Sequence, residues 1–206
     1  MTRYFRIDKV NPANLRLTIA VLLALLTYAP IFALTHHYTV AVGSKNHHCL
    51  DDWYFLVDKR LHPAHTGQYV AFRMQNVPYV PDGLKFTKMV SGTPGDKVSI
   101  RMYEGDELQK FIIAQRFDVD FRRYLKGEVS VERKDGSTTV YPVVAQNMEG
   151  KPMPMISPGI IPEGKLFVTG TNTDSYDSRY WGYIDELQII GRAFPIRWKN
   201  GIQIVH

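Results

Sequence analysis

Residues 86–102 read FTKMVSGTPGDKVSIRM. Phe86–Val90 is an apolar run short enough for a strand. Gly92-Thr93-Pro94-Gly95-Asp96 is a dense turn signal, and Lys97–Met102 alternates polar with apolar residues. The order is therefore strand, tight turn, strand. Proline and glycine fix that turn, so the strand carrying Lys88 is held rigidly. A lysine works as a general base only when it is neutral near neutral pH, and burial in apolar surroundings favours the neutral amine. Phe86, Met89 and Val90 make such a wall plausible. A solvated lysine beside an ordinary turn is the plainer alternative.

Working outward, strand signals recur. His37–Val42 alternates and is rich in β-branched residues, and Gln68–Arg73 is launched by the turn residues His65-Thr66-Gly67. Trp53–Val57 is a continuous apolar run suited to a strand buried on both faces. Glu128–Val144 reads as a hairpin around Lys134-Asp135-Gly136, and Asp106–Phe117 as a short helix or a strand pair. Four prolines between Pro152 and Pro162 mark an irregular stretch. Leu166–Thr169 is a strand that enters a polar loop at Gly170, and Gln188–Trp198 supplies another strand or two. The fold class is mainly β, built from many short strands.

The N-terminus differs. Leu17–Thr35 carries no charge, and roughly 18–20 such residues are enough to cross a bilayer as a helix. Arg3, Arg6, Lys9 and Arg16 precede it against the single acid Asp8, which places that end in the cytoplasm by the positive-inside rule. The stretch is longer than the usual signal-peptide core of about 7–15 residues, and no crisp small-x-small site follows. The expected organisation is a cytoplasmic tail at 1–16, a transmembrane anchor at 17–35 and an exported domain at 36–206. Residues 103–150 are a candidate small β lobe within that domain. Cys49 is the single cysteine, so no internal disulfide forms. The net charge is +5, but the basic residues are scattered, so a nucleic-acid partner is not expected.

A second chemical stretch is Gly170-Thr-Asn172-Thr-Asp-Ser175-Tyr-Asp177-Ser178-Arg179-Tyr-Trp181-Gly182. Ser175 is a candidate to orient an amine, and Asp177 with Arg179 to form a buried ion pair that shapes a site. A solvated Asn/Asp/Ser loop has the same composition.

Together the two stretches resemble the signal peptidase I superfamily. Lys88, Gly92, Pro94, Gly95 and Asp96 match its lysine box, Lys-x-x-x-Gly-x-Pro-Gly-Asp, without a gap. Ser175, Asp177, Ser178, Arg179, Trp181 and Gly182 match its later Ser-x-Asp-Ser-Arg box, and Gly170 and Asn172 match that box's start. The resemblance runs from about residue 44 to 198 and is weakest from 103 to 150. It implies a LexA/signal peptidase-type β fold behind one membrane anchor and a nucleophile–lysine dyad. Neither a cofactor nor a metal is implied.

The family's Ser-Met/Ile-x-Pro nucleophile motif is not found. Ser44, in Val-Gly-Ser-Lys-Asn, and Cys49, in His-His-Cys-Leu-Asp-Asp-Trp-Tyr-Phe, are the two candidates. In the family the nucleophile precedes one apolar residue, a short turn and a strand. Cys49-Leu50-Asp51-Asp52-Trp53 has that layout and Ser44-Lys45 does not. A thiol is chemically sufficient, since a neutral lysine can deprotonate it. The main-chain N–H of the nucleophile would form the oxyanion hole. The hydroxyl that the family often adds two residues earlier falls here on His47. His47, His48, Cys49 and Asp51 are metal-binding types, but their spacing matches no familiar zinc site.

The degenerate nucleophile segment and the aromatic after Ser175 resemble the TraF-type branch, whose peptidases process the pilin of a conjugative transfer system. The expected partners are a precursor polypeptide, either propilin or preprotein, and inner-membrane lipid. The expected location is the inner membrane, single-pass, with a periplasmic catalytic domain. Two other readings stand beside a propilin peptidase or cyclase: a general preprotein signal peptidase, and an inactive structural subunit of the transfer apparatus.

Overall fold

The computed structural model describes residues 12–43, 49–60, 64–104, 125–147, 149–172, 175–198 and 202–204. Contacts divide the chain between Thr39 and Val40 into two compact units.

The first contains α1, Pro12–His37, which is long and apolar enough to cross a membrane and fits a single-pass membrane protein. The helix overruns the expected 17–35 at both ends, because helical geometry does not stop where apolarity stops. Pro12 opens it, where a missing N–H costs nothing, and His36 and His37 lie in the last turn. The hydroxyls of Thr18 and Thr27 bond back to the carbonyls of Asn14 and Leu23 at 2.8 and 3.0 Å, which satisfies them in apolar surroundings.

The second unit is β. Its strands are β1 (Tyr38–Val42, which begins just before the division), β2 (Tyr54–Asp58), β3 (Tyr69–Arg73), β4 (Lys85–Gly92), β5 (Lys97–Met102), β6 (Leu125–Glu132), β7 (Thr138–Val144), β8 (Gly159–Ile160), β9 (Lys165–Thr169), β10 (Ile184–Asp185), β11 (Ile189–Trp198) and β12 (Ile202–Ile204). One four-residue helix, α2 (Ser178–Trp181), interrupts them. The larger sheet runs β1-β2-β11-β3-β4-β9-β10, with β12 on β11, and the smaller runs β7-β6-β5-β8. The fold is thus mainly β with one N-terminal apolar helix.

The β4-turn-β5 unit read from residues 86–102 carries the chain from the larger sheet into the smaller one. Phe167, on β9 of the larger sheet, shares a buried cluster with Val98, Val129, Val131 and Val143 of the smaller. A second cluster gathers Val70, Phe72, Val90, Leu166 and Val168 on one face of the larger sheet, and a third gathers Phe55, Val57, Ala71 and Ala193. Each fully buried valine contributes roughly 1.5–3 kcal/mol relative to an exposed one.

Two local expectations shift. The strand read as His37–Val42 begins at Tyr38, because the helix takes His37. The run Trp53–Val57 forms β2 one residue later, and it is not buried on both faces: Phe55 and Val57 are buried while Tyr54 is exposed and Leu56 half-buried. Its continuous apolarity overstated the burial. The segment Asp106–Phe117 lies outside the described residues. The hairpin around Lys134-Asp135-Gly136 forms as β6 and β7 in antiparallel register.

Candidate active site

Lys88 sits in the middle of β4, paired across the strands with Val70 of β3. Side chains two apart share a face of a strand, so Phe86 and Val90 flank it there. Val70 and Val90 are fully buried, and the ammonium lies 5.8 Å from the centre of the Phe86 ring. The lysine is 1% exposed, and its Nζ donates to Ser175 Oγ at 2.6 Å. That bond offsets part of the cost of burying the amine.

The turn beyond β4 fixes its register. Asp96 Oδ2 accepts from the Thr93 N–H at 2.8 Å and the Thr93 hydroxyl at 3.1 Å, while Oδ1 accepts from Lys134 N–H at 3.2 Å. Gly95 sits at φ +88°, and a Cβ there would also strike the Lys134 stem. A β-bulge falls between Val90 and Gly92, where β4 and β9 slip register. At that slip the buried hydroxyls of Ser91 and Thr169 bond to each other at 2.5 Å. No local pattern announced this pair, because its two members lie on different strands.

β9 delivers the second half. After Thr169 the chain passes Gly170 and returns through Ser175, itself 1% exposed. Asp177 caps α2, and its carboxylate accepts from Gly170 N–H at 2.8 Å and from Arg179 Nε and Nη2 at 2.7 Å each. Arg179 also donates to main-chain carbonyls: Ser175 at 2.8 Å, Asn172 at 3.2 Å and Pro142 at 2.6 Å. The guanidinium therefore holds the Ser175 loop against β7. Ser178 Oγ accepts from Val168 N–H at 2.9 Å, which ties α2 to β9. What read as a loop is a short helix clamped by its own capping residue. The signal was present in Asp177-Ser178-Arg179, since Asp is a preferred N-cap.

Burial pushes the Asp177 carboxyl up. The charge and hydrogen bonds of Arg179, the charge of Lys88 and the Gly170 N–H outweigh it and hold the carboxyl below its ordinary value. Asp177 thus stays ionised at neutral pH.

Cys49 closes the arrangement. Its carbonyl accepts from Thr171 N–H at 2.9 Å, and its side chain is free and half-buried. Gly170 faces both sides at once: a Cβ there would collide with the Ser175 hydroxyl and with the Cys49 carbonyl. The Cys49 main chain therefore lies beside the hydroxyl that holds the lysine. Ser44, His47 and His48 lie outside the described residues. The structure brings together Lys88, Ser175, Asp177, Arg179 and the Cys49 backbone from three separate parts of the sequence. Among the described residues, no cluster of three or more His, Cys, Asp or Glu side chains could hold a metal ion.

Comparison with known proteins points the same way. The family model described as signal peptidase, peptidase S26, matches residues 13–198. Signal peptidase IB of Staphylococcus aureus (strain N315) is 33% identical over 111 residues, which cover 52% of this chain and 50% of that protein. Signal peptidase I of Buchnera aphidicola subsp. Acyrthosiphon pisum (strain APS) is 39% identical over 64 residues, covering 26% of this chain and 20% of that one. The chain spans about half the length, or less, of these curated relatives.

Proposed function

Because the chain belongs to the signal peptidase, peptidase S26 family, we propose that it is a membrane-bound endopeptidase that cuts an exported precursor polypeptide with a cysteine–lysine dyad. The observation that carries this reading is the buried Lys88 amine, bonded at 2.6 Å to a hydroxyl that packs beside the Cys49 backbone.

On this reading each side chain has a defined part. Ser175 engages one side of the Lys88 nitrogen and so fixes the direction of the lone pair. The neutral amine takes the proton from the Cys49 thiol, and the thiolate attacks the scissile carbonyl carbon. The oxyanion that forms is met by the Cys49 main-chain N–H. When the C–N bond breaks, the Lys88 ammonium returns its proton to the departing amine. Water, deprotonated by the same lysine, then opens the thioester and releases the thiol. Asp177 and Arg179 hold the Ser175 loop and touch no reacting atom. Ser44 stands as the alternative nucleophile.

The substrate we propose is the propilin of a conjugative transfer system, on the two features read above: a nucleophile segment without the Ser-Met-x-Pro motif, and Tyr176 directly after Ser175. A general preprotein substrate is the second reading, favoured by similarity to relatives named signal peptidase IB and I. The basic residues ahead of the apolar stretch support, by the positive-inside rule, a cytoplasmic N-terminus and a periplasmic catalytic domain.

Single alanine substitutions of Lys88, Cys49 and Ser44 test the reading, with propilin and several preproteins followed by gel shift. Loss of propilin maturation with Lys88→Ala and Cys49→Ala, and not with Ser44→Ala, is the expected result. Accumulation of many preproteins would move the substrate to the general class. Unchanged processing in all three variants would leave a structural subunit.

A further inference from the structure

Among the described residues, the short segment from Cys49 to Trp53 is tied by main-chain bonds at its two ends. The Cys49 carbonyl takes the Thr171 N–H, and four residues on the Trp53 carbonyl takes the Gly43 N–H at 2.7 Å. Between them Leu50 packs against the Phe55–Ala193 cluster. Asp52 is fixed differently. Arg197 Nε and Nη2 donate to its two carboxylate oxygens at 2.7 and 2.8 Å, a bidentate pair between residues 145 apart in sequence. Arg197 lies near the end of β11, two residues past that strand's last pair with β2 (Pro195 with Phe55) and itself paired with Gln203 of β12, so it stands on a strand that its neighbours hold. The carboxylate is largely covered, at 10% exposure, while the guanidinium is 53% exposed. The rigid partner thus reaches down from solvent onto the segment that needs holding.

We propose that Arg197 is a positioning residue for the nucleophile: through Asp52 it locks the Cys49 segment in register with Gly170–Thr171, so that the thiol meets the Lys88 amine. The inference rests on the cysteine–lysine reading. An exposed pair of this kind adds little to global stability. Its worth lies in geometry, because misplacing a reacting group by an ångström costs on the order of a hundredfold in rate. The pair is also open to salt screening, whereas the dyad is not.

Cys49 is the sole cysteine, so its alkylation can be followed on the full chain in detergent without any substrate. Iodoacetamide is the probe. With wild type, alkylation at neutral pH is expected to be fast, to slow with Lys88→Met, and to slow as salt is raised. With Arg197→Met the rate is expected to fall about tenfold at an unchanged circular-dichroism spectrum, and the salt dependence to vanish. The swap Asp52→Arg with Arg197→Asp should recover most of the loss. Wild-type rates and salt dependence in Arg197→Met would overturn the lock while leaving the dyad in place. Alkylation of the wild type at the rate of a free thiol, indifferent to Lys88→Met, would instead remove the dyad, and the lock with it.

Discussion

Two Asp–Arg pairs brace the same site from different sides, with nearly the same geometry and opposite surroundings. Arg179–Asp177 is 2% and 0% exposed, and Arg197–Asp52 is 53% and 10% exposed. Both are bidentate at 2.7–2.8 Å. The first is shut between two sheets and also donates to three main-chain carbonyls, so it shapes the fold around Ser175. The second sits at a strand end in reach of water, so it can steer a segment without carrying the fold. The lesson is that distance alone does not rank ion pairs; what each charge would face without its partner does.

The sharpest way to break this contrast is to remove the buried cation. Arg179→Met strands the Asp177 carboxylate and removes the guanidinium donors to the carbonyls of Pro142 and Ser175. A loss of about 3–5 kcal/mol is expected, read as a drop in the urea midpoint at constant slope. A loss under about 1 kcal/mol would show that the pair is not the brace described.

Acid sharpens the same point through its sign. In the wild type the Asp177 carboxyl is held below its ordinary value of 3.8. A depressed folded value gives stability that is fully present above the unfolded value and is lost as pH falls through the folded one. In Arg179→Met the upward push of burial is no longer answered by the guanidinium, though the Gly170 N–H still bonds to the carboxylate. The variant should then regain stability as its carboxyl takes up a proton. The stability gap between the two proteins is therefore expected to narrow from pH 7 toward pH 4. A gap that stays constant across that window would place the charge effect elsewhere.

Gly170 ties the two sides together and gives the next smaller effect. A Cβ there would meet the Ser175 hydroxyl and Cβ and the Cys49 carbonyl, and of these only the hydroxyl can turn aside cheaply. Gly170→Ala should cost about 1–3 kcal/mol as an overpacked contact. It should also slow alkylation of Cys49, because the segment is pushed off Thr171. An alanine variant with wild-type stability and thiol reactivity would separate the Cys49 segment from the Ser175 loop.

The two sides were not equally legible in sequence. Lys88 was readable because a strand signal and a Gly-x-Pro-Gly-Asp turn sit within nine residues, Lys88–Asp96, and turn chemistry is local. Ser175, Asp177 and Arg179 were readable as candidates because their spacing matched a known box, and the structure brings all three together. The burial that makes the Asp177–Arg179 pair costly to break was not local, since it depends on β7 crossing beneath Arg179. Asp52 and Arg197 gave no signal at all: one acid in a turn and one arginine in a strand look like solvated charges until antiparallel pairing of β2 with β11 sets them side by side. The Ser91–Thr169 pair was silent for the same reason. The β2 segment misled, because Tyr54 and Leu56 belong to an apolar run whose outward face the sheet leaves partly open.

The exposed pair gives the smallest expected change in stability and the most telling one. Arg197→Met should move the melting temperature by less than about 3 °C, since an exposed cation gives up little when its partner is lost and Asp52 can find water at the segment's edge. High salt should shrink even that shift, while leaving the much larger loss in Arg179→Met almost untouched, because only the exposed pair feels the ionic atmosphere. A melting shift in Arg197→Met as large as that in Arg179→Met, and equally insensitive to salt, would mean that Asp52 is sealed from solvent. Arg197 would then be a second fold-bearing brace, and the division between a pair that builds the site and a pair that aims its nucleophile would collapse into one structural role.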